Sequence, residues 1–121
     1  MVKIEIVERI VRVVAVVMLA VLAWVCLGGD SLLAVPTPIT SFLVHLVAFF
    51  FLAAIAYVGW ADHAPRMALI MIGLAVVLEV VQVMLPGRNF TILDLSGNLI
   101  GVGIAWVFFK VLLNFKRTIR A

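Results

Sequence analysis

Charge is nearly missing from the middle of this sequence. Asp, Glu, Lys and Arg make up only 12% of its 121 residues, against 67% hydrophobic residues, and a chain so composed cannot form a water-soluble globule. The single cysteine, Cys26, excludes an internal disulfide and reads as a small apolar filler near the end of a helix. The four prolines fall between apolar runs and not within them. Internal repeats, low-complexity tracts, a linker and the HExxH type of metal-ligand spacing are all missing. The net charge of +3 comes from basic residues near the ends of apolar runs, which anchor a membrane topology and do not form a nucleic-acid surface.

What remains is hydrocarbon-compatible length. Four apolar segments, about 10–27, 39–60, 67–85 and 95–113, each approach the ~20 residues that span a ~30 Å hydrocarbon layer. Between them lie Gly28-Gly29-Asp30 to Pro36-Thr37-Pro38, Ala61 to Arg66, and Pro86-Gly87-Arg88-Asn89, all with turn chemistry. Connections this short force neighbouring helices to run antiparallel. The expected fold is therefore all-α: one domain over residues 1–121, folded as a four-helix antiparallel transmembrane bundle.

Eight of the nine lysines and arginines fall on one side of that layout: Lys3, Arg9, Arg12, Arg66, Lys110, Lys116, Arg117 and Arg120. Only Arg88 falls on the other. Basic excess marks the cytoplasmic face, so both termini are expected there, in a multi-pass protein of the plasma (inner) membrane. Segment 10–27 lacks the small-residue site of a removable signal. Residues 1–12 are expected to continue helix 1 into the interface as an amphipathic turn or two, and 114–121 to form a basic surface anchor.

Against this background the polar exceptions carry the information, since a charged group inside hydrocarbon costs about 2.5–3.5 kcal/mol on insertion scales and marks a functional site by default. His45 lies six residues into the second segment, Glu79 and Gln82 near the end of the third, and Asp94 and Asn98 at the start of the fourth. At 1.5 Å per residue, His45 and Glu79 share a depth of roughly 9 Å below the outer boundary. Glu79 and Gln82 are i,i+3 neighbours and Asp94 and Asn98 are i,i+4 neighbours, so each pair shares a face that must look inward. Arg88, in the turn above them, is placed to clamp a carboxylate or to meet an anionic ligand group. Thr91-Ile92-Leu93-Asp94 also fits a helix-capping pattern, giving Asp94 a structural as well as a ligand role. Gly97, Gly101 and Ala105 form a small-residue ridge suited to close helix packing, within the chain or between copies, so monomer and homodimer both stay open.

Glu79-x-x-Gln82, the Pro86-Gly87-Arg88 turn, Asp94 six residues later and Asn98-x-x-Gly101, with His45 on the preceding helix, together resemble the signature of the VanZ-like family. The resemblance runs from about His45 to Gly103, and the multi-helix layout extends it over nearly the whole chain. Ser41-Phe42 stand where the family often has an Asp-Lys pair, Phe49 where it has an aromatic hydroxyl, and Leu78 where it has an acidic residue. The resemblance implies a membrane protein of the cell envelope, the family's namesake being linked to antibiotic resistance against the lipid-tailed glycopeptide teicoplanin.

Two functions fit these residues. One is binding of a membrane lipid or lipid-linked amphiphile through His45, Glu79, Gln82, Arg88, Asp94 and Asn98. The other is a membrane-embedded enzyme for a lipid-linked substrate, with His45 and Glu79 exchanging a proton. No nucleophile is evident, since Ser96 sits about 200° around its helix from Asp94. No cofactor or bound metal is expected from the spacing.

Overall fold

The computed structural model describes residues 2–27, 38–84 and 92–120. Among these, the chain forms four α-helices, α1 Val2–Leu27, α2 Pro38–Gly59, α3 Ala64–Val83 and α4 Ile92–Arg120, with a single 3₁₀ turn at Ala61–His63 between α2 and α3. Segments Ile39–Gly59, Ala61–Val83 and Ile92–Ile119 are each long and apolar enough to cross a membrane. The bundle wears its hydrophobicity outward: Val76, Val77 and Val80 on α3 and Ile104, Val107 and Phe108 on α4 are all exposed. That inversion of a soluble fold is what lipid as solvent requires.

Helices α1 and α4 outrun the apolar segments that define them in sequence. Both continue as helix through their polar ends, to Val2 and to Arg120. An amphipathic continuation keeps backbone groups bonded while charged side chains reach water. The α2–α3 junction is set by Gly59 and Pro65. Gly59 is buried where α1 crosses, and a Cβ there would meet the Arg12 Cγ at 3.3 Å. Arg12 Nε donates to the Gly59 carbonyl at 2.7 Å, supplying a partner to an otherwise orphan group at the helix end. Its guanidinium also lies over the Trp60 ring, 5.5 Å from the centroid. Pro65 then sits in the first turn of α3, where a missing N–H costs nothing.

Helix α2 is the hub. It packs on α1, α3 and most extensively on α4. Its pairings with α4 keep a nearly constant offset: Ser41 with Asp94, His45 with Asn98, Tyr57 with Phe109. The two helices therefore run parallel, as second and fourth members of an up-down chain must. The small-residue ridge makes this contact. Gly97 and Gly101 lie against the α2 backbone, where a Cβ on Gly97 would come 2.7 Å from the Phe42 carbonyl oxygen and one on Gly101 would come 2.9 Å from the Phe50 amide nitrogen. The ridge is thus used inside the chain.

The core is one stripe down these helices. Phe49, Leu52, Ala53, Ala56 and Tyr57 on α2 meet Met71, Ala75 and Leu78 on α3 and Val102, Ala105 and Phe109 on α4. Spacings of three and four residues put each set on a single helical face. At the far end of the stripe Tyr57, fully buried, stacks on Trp106 and donates its hydroxyl to the Val102 carbonyl at 3.3 Å.

Gly101→Val is expected to destabilise the bundle strongly, by about 1–3 kcal/mol or more, because backbone atoms cannot yield as side chains do. Gly103→Ala is the control, with open space around the added carbon. Thermal unfolding in detergent should show a clearly lower midpoint for the first and an unchanged one for the second.

Candidate functional site

At the other end of the same stripe the buried face turns polar. On α2 the series continues upward from Phe49 to His45 and Ser41, on α4 from Val102 to Asn98 and Asp94, and on α3 from Leu78 to Glu79 and Gln82. Each helix keeps its inward face and changes only its chemistry. At 1.5 Å per residue, His45 and Asn98 lie roughly 9 Å, and Glu79 roughly 6 Å, from the ends of their spans.

Four of the six residues expected in a site come together in one bonded group. Asn98 is its centre. Its Nδ2 donates to Glu79 Oε1 at 3.4 Å and its Oδ1 lies 2.9 Å from His45 Nδ1. Because the amide nitrogen is directed at a carboxylate, the amide oxygen is what faces the imidazole, so Nδ1 carries the proton and donates it. Nε2, on the other side of the ring, lies 3.8 Å from Asp94 Oδ2. Glu79 Oε1 is also 3.6 Å from His45 Nδ1.

Burial grades across the group. Glu79 and Asn98 are each 1% exposed, whereas the side chains of His45 and Asp94 each keep 16%. The site thus has a sealed floor and a partly open rim. Gln82 is buried on the Glu79 face, one turn nearer the helix end. Glu79 Oε2 is buried and has no hydrogen-bond partner among the described residues. Leaving a buried acceptor in that condition costs ~1–3 kcal/mol.

One member of the group escaped sequence reasoning as a site residue. Ser41 Oγ donates to Asp94 Oδ1 at 2.7 Å, tying the first turns of α2 and α4 together. Its position four residues before His45 was the available signal, since that spacing puts both on one face. Asp94, in the first turn of α4, also sits where the helix dipole favours a carboxylate. Ser96 stays out of the group, its hydroxyl bonding back to the Ile92 carbonyl at 2.7 Å. Arg88, the Pro86-Gly87 turn and the Thr91 cap lie outside the described residues, as do the 28–37 connection and the Cys26 side chain.

His45, Glu79 and Asp94 also form a potential ligand set. One donor atom from each lies within 4.8 Å of the other two. Because the three come from three helices, no short motif announces them in the sequence.

Three spans that expose apolar side chains and gather a buried carboxylate, a buried amide and a partly buried imidazole at one end are those of a multi-pass membrane protein with a polar cluster among its helices. The sequence model described as VanZ/LLP1 matches residues 5–114, and the chain belongs to that family. Neither a curated protein nor a solved structure matches the chain.

Asn98→Ala removes the bridge from both His45 and Glu79 and leaves two buried groups to find other partners. A loss of about 1–3 kcal/mol is expected, read as a lower thermal midpoint in detergent. Ser96→Ala, which breaks only a bond within its own helix, should leave the midpoint unchanged.

Proposed function

We propose that this protein binds the polar headgroup of an anionic amphiphile from the outer leaflet of the plasma membrane, with both of its termini on the cytoplasmic side. A lipid-linked cell-envelope molecule or a lipid-tailed glycopeptide antibiotic has the required chemistry. The reading is carried by one observation: the intramembrane polar groups meet at a single end of the bundle, with His45 and Asp94 at a partly open rim above buried Glu79 and Asn98. Such groups are retained in lipid at a cost, and a ligand drawn from the membrane plane explains their position near one surface.

The distribution of basic residues supports the orientation. With the basic excess on the cytoplasmic side, the polar end faces outward. Arg88 comes after α3 in the sequence and is the one basic residue that the charge count sets apart from the other eight, suited to phosphate or carboxylate through a bidentate contact. Asp94, Asn98 and Ser41 offer partners for hydroxyls and amides. An apolar groove of about 420 Å³, lined by Val17, Met18, Val21 and Leu22 of α1 and by Val44, Ala48, Phe51 and Leu52 of α2, begins beside His45 and suits an acyl tail.

Lipid and metabolite identification by mass spectrometry on purified protein tests this. An anionic amphiphile should copurify with the wild type. Arg88→Ala should retain about 10–100-fold less of it, as expected for one charge-assisted contact of about 1.5–3 kcal/mol. The same lipid profile in both proteins, at equal stability, would exclude the proposal.

A further inference from the structure

We infer that His45, Glu79 and Asp94 form an intramembrane site for a divalent transition-metal cation of the zinc class. Three observations lead there, and none of them involves the amphiphile.

The first is the donor set itself. One imidazole and two carboxylates from three separate helices bring one ligand atom each to within 4.8 Å of the others. Ligands about 2.1 Å from a tetrahedral ion stand about 3.4 Å apart, so a contraction of up to about 1.4 Å closes the set on a single ion. Imidazole among the ligands favours zinc-like ions over magnesium and calcium, which prefer all-oxygen shells.

The second is the histidine tautomer. His45 Nδ1–H donates to Asn98 Oδ1, 2.9 Å away. A metal-bound histidine typically donates its other ring N–H to just such a fixed acceptor, which orients the ring and raises its basicity. Nε2 faces Asp94 Oδ2 at 3.8 Å, too far for a hydrogen bond and close to the spacing of two atoms that share a cation.

The third observation is an unpartnered acceptor. Glu79 Oε2 is buried and has no hydrogen-bond partner among the described residues. A cation held by the Glu79 carboxylate together with His45 and Asp94 would supply one. It also brings two carboxylates and a neutral imidazole to zero charge, which a low-dielectric site strongly favours. Three protein ligands leave one position open, on the side where His45 and Asp94 keep their exposure. If the amphiphile reading holds, an anionic headgroup oxygen takes that position; this extension rests on that reading, whereas the cation site does not.

The test uses the metal alone, on the full-length protein in detergent stripped of metal with a chelator. Titration with Co²⁺ followed by visible absorption, and with Zn²⁺ by calorimetry, should show about one equivalent bound with nitrogen and oxygen ligation. His45→Ala and Glu79→Gln should abolish the Co²⁺ bands. His63→Ala in the cytoplasmic turn should bind as the wild type does. Absence of a stoichiometric ion in the wild type, equal or tighter binding of Ca²⁺, or loss of the bands in His63→Ala would each overturn the assignment. Because wild-type binding is read directly, a variant that fails to fold does not obscure the result, and no amphiphile enters the measurement.

Discussion

The approach of α4 onto α2 at Gly97 and Gly101 is the constraint on which the rest depends. In hydrocarbon two helices gain little by burying apolar side chains against each other, because lipid tails offer the same contacts. Association has to come from close backbone packing and from polar bonds that lipid cannot replace. The two glycines supply the first, lying directly against the backbone of α2. The bonds from Ser41 to Asp94 and from His45 to Asn98 supply the second, the first about one turn before Gly97 and the other at the residue next to it. Each needs the other, since a side chain at Gly97 would push Asn98 beyond reach of the imidazole, and without the polar bonds the parallel register would have little to hold it.

The same register explains why the buried stripe has two characters. Helix α3 leans on α2 and α4 over its whole inward face, meeting apolar partners around Ala75 and polar ones at Glu79. The apolar part, closed at its far end by the bond from Tyr57 to Val102, is a scaffold. The polar part is held rigidly by it. Asn98 joins all three helices through one amide, and a three-way bridge of this kind positions the imidazole and the glutamate more sharply than loops would. A site for a headgroup or a cation benefits from that preorganisation, because little ordering remains to be done on binding.

Contact at the opposite face is of a different kind. Arg12, which sequence reading treats as one more cytoplasmic anchor, bonds to the last carbonyl of α2 and lies over Trp60. It joins α1 to the hub by a local cap. Charge counting captures which side such a residue belongs on and says nothing about which backbone group it meets.

Much of this protein was legible without coordinates. Hydropathy determined the helical class and three of the four expected spans, α1 being a helix but not among the segments long and apolar enough to cross, since only a continuous helix satisfies its own backbone in lipid. The scarcity of polar residues picked out His45, Glu79, Gln82, Asp94 and Asn98, and helix periodicity turned them inward, because nothing in lipid could bond to them. Tertiary structure decided the pairings. That α2 and α4 run parallel and touch most closely, that Ser41 belongs with Asp94, that Asn98 fixes the histidine tautomer, and that three ligands on three helices share one small volume all depend on helix rotation and offset. Those quantities are set by packing between segments distant in sequence, and periodicity along any one segment does not contain them.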